Sequence, residues 1–217
     1  DFYEWLIFLG ELSKKTNYDW YLKNRPNHPG KFKKYQPYTN KILKKFVKNY
    51  KNIKLLPNNY SHNQILSEGI NFVLTCYGSV AMEYAYFKVP VINASINNPH
   101  IAYNFNINPR SIKEYENILL NLKKFKKFKN KINQKKVIEY YFMRHLFVDK
   151  NWLVEDLSQM IKFVGGYDNQ WSDRFYEYWL KNFSDKKHNQ ITNNINRFMT
   201  SKDNFININH TNKINFI

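Results

Sequence analysis

The chain has 217 residues and carries 34 Lys and Arg against 17 Asp and Glu, a formal net charge of +17. At 43% hydrophobic and 18% aromatic it holds material for a packed core, which excludes a wholly disordered chain. No apolar run nears the ~18 residues of a membrane-spanning helix, and one cysteine, Cys76, excludes an internal disulfide and cysteine-rich zinc sites.

The chain starts at Asp1, without an initiator Met or a signal-peptide core. Asp1 and Glu4 have the spacing of a capping box, so the expectation is a fragment that begins inside a structural element. Phe2, Trp5, Leu6, Leu9 and Leu12 recur at helical spacing and predict a helix over 2–15. A short aromatic run predicts a strand over 18–23, and two prolines and a glycine place a loop at 24–30. Ile42, Leu43, Phe46, Val47 and Tyr50 predict a helix over 38–50, and Ile53–Leu56 a second strand. A short helix over 62–68 stops at Gly69. Asn71–Thr75 has the length and apolarity of a strand buried on both faces. Gly78 and Ser79 open a helix to about Phe87, and Pro90–Ala94 is a fourth strand.

This alternation predicts an α/β fold: a doubly wound parallel sheet, Rossmann-like, followed by C-terminal helices. Ligands of such sheets bind beyond the carboxyl ends of the strands, here at loops 24–30, 75–79 and 94–103. Past Pro109, the stripe Ile118, Leu122, Phe125, Phe128 and Ile132 predicts a helix with eight lysines between Lys123 and Lys136. Its apolar side either faces the core or lies on an anionic membrane. Further helix is expected over 137–164 and 171–183. From about Lys186 no firm period emerges, and fraying is expected. The domain division follows: 1–164 with its trailing helices, then 165–217.

The most informative segment is Thr75-Cys76-Tyr77-Gly78-Ser79-Val80-Ala81-Met82-Glu83. A strand running through Gly78 into a helix suits a phosphate: glycine admits close approach, helix N–H groups point outward, and the Ser79 hydroxyl can donate. Glu83, one turn on, can accept bonds from ribose hydroxyls. The alternative is an ordinary N-cap beside an exposed acid. Arg25 and His28, on the first loop, are cationic or imidazole donors for the same phosphate. Asn97, Asn98, His100 and Tyr103 follow the fourth strand and form a third group, with His100 expected to face the same donor crevice and a polar surface loop as the alternative. His62 and His145 read as capping or packing residues. Cys76 lacks a partnered His/Asn pattern and reads as filler. There is no P-loop, dinucleotide fingerprint, Gly-x-Ser-x-Gly elbow or visible metal motif.

The order strand, Lys23-Asn24-Arg25-Pro26-Asn27, strand, then Leu74-Thr75-x-x-Gly78-Ser79-x-x-x-Glu83-Tyr84-Ala85 and Val89-Pro90-Val91-Ile92-Asn93-Ala94 resembles bacterial capsule and surface-polysaccharide biosynthesis proteins. The resemblance spans roughly 2–160 and rests mostly on 71–94 and 97–118. It implies the C-terminal, nucleotide-sugar-binding half of a two-domain GT-B glycosyltransferase. It assigns donor phosphate and ribose to Gly78, Ser79 and Glu83. The family's Lys-x-His-Pro histidine falls at Arg25, with His28-Pro29 three residues later, so either side chain can fill that role. The implied ligands are a CMP- or CDP-linked sugar and a glycan acceptor, with no separate cofactor and no metal. The general base would come from an N-terminal domain outside this chain. The implied place is cytoplasmic, at the inner membrane face.

Three alternatives stand beside it: a CDP-glycerol-type polyol-phosphate transferase, a non-catalytic nucleotide- or carbohydrate-binding module, and a basic nucleic-acid binder. The last is disfavoured because the basicity comes from 29 Lys and only 5 Arg, beside 32 Asn. That composition follows A/T-rich codons, and nucleic-acid readers prefer the arginine fork.

Overall fold

A computed structural model describes residues 2–24, 34–147 and 157–211. Asp1 of the expected capping box, the candidates Arg25 and His28, and residues 148–156 of the expected long helix lie outside the described residues. Backbone contacts divide the chain into two compact units, Asp1–Asn98 with Asn106–Ile132, and Pro99–Phe105 with Asn133–Ile217. The boundary expected at 164/165 falls inside the second.

The first unit is α/β. In chain order it holds α1 (Phe2–Ser13), β1 (Trp20–Leu22), α2 (Gln36–Asn49), β2 (Ile53–Leu55), α3 (His62–Ser67), β3 (Val73–Thr75), α4 (Val80–Tyr86), β4 (Val91–Asn93), α5 (Ile112–Leu120) and α6 (Leu122–Phe125). All four strands lie within the apolar runs that predicted them. They pair in parallel as β1 with β2 and β3 with β4, in registers Trp20↔Ile53 and Val73↔Val91. Among the described residues these are two separate two-stranded ladders. A parallel bridge from Ile92 to Ile107 adds a third segment beside β4. Its bonds run from Ile107 N–H to the Val91 carbonyl (2.8 Å) and from Asn93 N–H to the Ile107 carbonyl (3.0 Å).

Among the described residues, three apolar clusters hold this unit. Leu9 and Leu12 of α1 meet Ile118 and Leu119 of α5 over Ile92 and Ile107. Each fully buried Leu or Ile contributes roughly 1.5–3 kcal/mol. Phe46 of α2 and Tyr50 at its C-terminal end close over Ile53, with Trp20 and Leu22. Ala81 and Tyr84 of α4 close over Val91, with Ile65 and Leu66 of α3. Ser61 starts α3 with a full capping box, its hydroxyl accepting from Gln64 N–H while its own N–H donates to the Gln64 side chain.

The helix expected over 118–132 is instead broken into α5, α6 and a 3₁₀ segment, Lys126–Lys131. Asn121 ends α5 with its N–H on the Ile118 carbonyl. The following Lys-Lys-Phe-Lys-Lys-Phe has a period of three, which matches the three residues per turn of a 3₁₀ helix. Phe125 and Phe128 thereby both face the core cluster, which settles that side of the stripe as core-facing.

The second unit contains α7 (Gln134–Tyr141), a π-helical turn (Phe142–Phe147), α8 (Leu157–Val164), α9 (Asp173–Lys181) and α10 (Asp185–Met199). Met160, Ile161 and Val164 of α8 pack with Phe175 and Tyr178 of α9. Helix α10 corrects the expectation of fraying beyond Lys186. Its inward residues are Ile191, Asn194 and Phe198, and a buried asparagine in the middle of the stripe hides its period from a hydropathy reading. The chain then turns through Asn207 and His210, whose Nδ1 accepts the Asn207 N–H at 3.0 Å.

Candidate functional site

The parallel register sets Thr75 beside Asn93, so the chain leaves β3 and β4 at one edge, and Ala94 N–H donates to the Thr75 carbonyl at 2.8 Å. From β3 it runs through Cys76-Tyr77-Gly78-Ser79 into α4. From β4 it runs through 94–98. Two buried asparagines hold the carbonyls at either end of the first path. Asn98, 4% exposed, donates from Nδ2 to the Cys76 carbonyl (2.8 Å) and the Ser95 carbonyl (3.1 Å). Asn106, equally buried, donates to the Ala81 carbonyl (3.3 Å). Asn93 donates to the Asn108 side chain, and Asn108 to the Asn106 carbonyl at 3.2 Å. The Oδ1 atoms of Asn93, Asn98 and Asn106 are buried and have no hydrogen-bond partner among the described residues. Such amides sit in an apolar interior only when their donors are matched to particular carbonyls, and they specify the shape of the loop they hold.

The turn itself is open. Ala81 N–H bonds the Gly78 carbonyl (3.3 Å), and Met82 and Glu83 N–H bond the Ser79 carbonyl (2.9 and 3.0 Å). The N–H groups of Gly78, Ser79 and Val80 donate to no backbone carbonyl among the described residues. Ser79 is exposed and makes no side-chain cap bond. Ser61 and Ser111 cap their helices from extended backbone (ψ 159° and 161°), whereas Ser79 sits at φ −61°, ψ −24°, already helical. Its hydroxyl is therefore not consumed by the helix. A Cβ at Gly78 would come no closer than 3.9 Å to Val80 and 4.0 Å to Thr75, so the glycine leaves its face uncovered. Glu83 is exposed one turn above Ser79.

A second set of side chains gathers close by. Lys23, directly after β1, donates to the Tyr60 carbonyl at 2.7 Å. His62 shares a 2.9 Å hydrogen bond with the Tyr84 hydroxyl and meets that ring edge-on. Burial lowers the proton affinity of His62, the Lys23 charge lowers it further, and the Glu83 carboxylate acts the opposite way. Lys23, His62 and Glu83 thus lie within one electrostatic neighbourhood. Burial, with Glu83 adding, pushes the Tyr84 hydroxyl up to about 12. His62 does pack, as the sequence predicts, but its nearness to Glu83 was not legible. The only local signal is its place at the first turn of a helix following a strand. Asn24 is buried and donates to Asn40 Oδ1 (2.7 Å), which Gln36 also reaches (3.3 Å).

Of the remaining candidates, His100 belongs to the second unit. It is 3% exposed, stacked on Phe105 (5.7 Å, 24°) and edge-on to Tyr140 (5.8 Å, 83°). Its Nε2 is buried and has no hydrogen-bond partner among the described residues, and burial holds its proton affinity down to about 4. Tyr103 meets the same Tyr140 edge-on (5.3 Å, 71°) and Phe205 at a tilt (4.5 Å, 44°). Burial pushes the Cys76 thiol up to about 11, so at neutral pH it is a thiol and not a nucleophilic thiolate. His145 is exposed against Tyr141. Among the described residues no three His, Cys, Asp or Glu side chains are grouped as metal ligands, and no helix is long and apolar enough to cross a membrane.

In comparisons with known proteins, the chain matches no family model, no curated sequence and no solved structure.

Proposed function

We propose that this chain is the nucleotide-sugar-binding half of a glycosyltransferase of capsule or surface-polysaccharide biosynthesis, with a CMP- or CDP-linked donor. The observation that carries the reading is the Cys76–Ala81 turn. An uncommitted serine hydroxyl and three backbone N–H groups without backbone acceptors among the described residues stand at the carboxyl edge of two parallel strands. In this reading the donor phosphate accepts from the N–H groups of Gly78, Ser79 and Val80 and from the Ser79 hydroxyl. Glu83 accepts from a ribose hydroxyl, and the Lys23 charge adds attraction for the same anion. As the glycosidic bond to the donor breaks, negative charge grows on the leaving phosphate. Prepositioned donors stabilise that charge without reorganising. The two parallel ladders are then parts of one doubly wound sheet. The acceptor glycan and the general base belong to a second domain, and the protein works at the cytoplasmic face of the inner membrane.

The test is a thermal-shift and calorimetric panel of CMP, CDP, UDP, GDP and CDP-glycerol on the chain. Stabilisation by the cytidine nucleotides supports the reading, and a marked preference for CDP-glycerol redirects it to polyol-phosphate transfer. A panel in which no nucleotide binds overturns it.

A further inference from the structure

Six of the nine residues from Lys123 to Lys131 are lysine, against 29 in the whole 217-residue chain, and no Asp or Glu lies between Glu116 and Glu139. This density far exceeds the background lysine content. The structure shows what the local period does with it. The repeat of three winds through α6 into the 3₁₀ segment, turning Phe125 and Phe128 into the core cluster, and Ile132 just beyond is buried at 6% exposure. Lys123, Lys124, Lys126, Lys127, Lys129 and Lys131 are all exposed. Among the described residues none of these six has an ion pair, and the nearest acid before them, Glu116, is held by Lys15 at 3.3 Å. The result is a short ridge, pinned from beneath by aromatic rings, whose outer columns are ammonium groups on flexible stems.

We propose that this ridge docks on the surface of an anionic phospholipid bilayer. Nucleic acid fits it less well. The aromatic rings that would stack on bases are turned inward, the segment holds no arginine fork, and helical pieces of four and six residues are too short to lie along a groove. A bilayer surface demands only closely spaced positive charge, with lysine stems that reach the headgroups. Because the apolar side chains are already spent on the core, attachment is electrostatic and without insertion, so salt must weaken it strongly. The inference stands apart from the nucleotide reading, since no residue is shared.

The experiment is vesicle sedimentation of the whole chain with phosphatidylcholine alone or mixed with phosphatidylglycerol, at low and high salt. The triple variant Lys124→Gln, Lys126→Gln, Lys127→Gln is compared with Lys41→Gln, Lys44→Gln, Lys48→Gln on α2, which removes equal charge from exposed positions elsewhere. Each lysine near such a surface is worth about one decade or slightly less, so the ridge variant should bind phosphatidylglycerol vesicles about a hundredfold more weakly. The α2 variant should lose far less, and phosphatidylcholine should bind neither. Equal loss in both variants overturns the proposal. So does equal binding to neutral vesicles, or binding to an RNA oligonucleotide with none to either vesicle. All six substitutions are at exposed positions, and unchanged circular-dichroism melting verifies folding.

Discussion

Asn98 donates from Nδ2 to the Cys76 carbonyl at 2.8 Å, joining the loop after β4 to the turn after β3 while being almost wholly buried. The same NH₂ group reaches the Ser95 carbonyl at 3.1 Å, so one side chain holds both loops. Asn98→Asp retains the shape but replaces both donors with oxygen facing carbonyl oxygens. It should cost about 1–3 kcal/mol of stability, the penalty for unmatched buried polar groups. Amide exchange at Ala94 and Met82, whose N–H groups bond the Thr75 and Ser79 carbonyls on either side of the turn, should accelerate more than the global loss explains. Denaturant titration and hydrogen exchange measure the two effects, and slow exchange retained at these two amides would refute the clamp.

Ser79→Ala separates ligand binding from helix capping. Since the hydroxyl makes no cap bond, the usual loss of about 1 kcal/mol at an N-cap should be absent and stability should change little. A nucleotide phosphate that accepts from this hydroxyl should bind roughly ten- to a hundredfold more weakly, the equivalent of ~1.5–3 kcal/mol. Glu83→Gln should weaken ribose-bearing ligands while sparing pyrophosphate. Calorimetry on both variants decides it, and unchanged affinity in Ser79→Ala removes the turn from the binding site.

His100 should make stability depend on pH. Its folded proton affinity lies near 4, against an ordinary histidine value of 6.5. Between those values the unfolded chain binds more protons than the folded one, so stability is full above about 6.5 and falls as pH drops toward 4. The loss accumulates to the order of 3 kcal/mol. His100→Phe, set among Phe105 and Tyr140, should remove this component. Urea titrations at several pH values, comparing wild type with variant, measure the difference; parallel curves would show that His100 is not the titrating group.

Gly10 is in the middle of α1, where alanine normally stabilises a helix by up to ~1 kcal/mol. Here a Cβ would lie 2.7 Å from three atoms of the Tyr50 ring. That ring is buried, tilted against Phe46 at 4.8 Å, and tied through its hydroxyl to Glu11 at 2.9 Å. Gly10→Ala should therefore destabilise by about 1–3 kcal/mol, as overpacking does. Much of the loss should disappear in a Tyr50→Leu background. Thermal denaturation of the single and double variants tests this.

The amino-acid pattern alone located the four strands and most of the helices, because side-chain period and turn residues are local properties of a few consecutive positions. Asn71–Thr75 was legible as a strand and Gly78–Ser79 as a turn without any partner being known. The stripe from Ile118 to Ile132 reads as one helix by its spacing, and only packing decided that Phe125 and Phe128 face the core and that the segment breaks into a 3₁₀ stretch. Helix α10 was missed because a buried Asn194 interrupts its apolar stripe. The candidate site divides in the same manner. Ser79 and Glu83 lie one turn apart by helical geometry, which any sequence reading can find. That Asn98 reaches Cys76, that His62 feels Glu83, and that His100 is enclosed by Phe105 and Tyr140 are contacts between separate elements. Such contacts depend on how strands and helices pack, as does the 3.1 Å bond from Trp5 in α1 to Tyr115 in α5, and no local spacing encodes them.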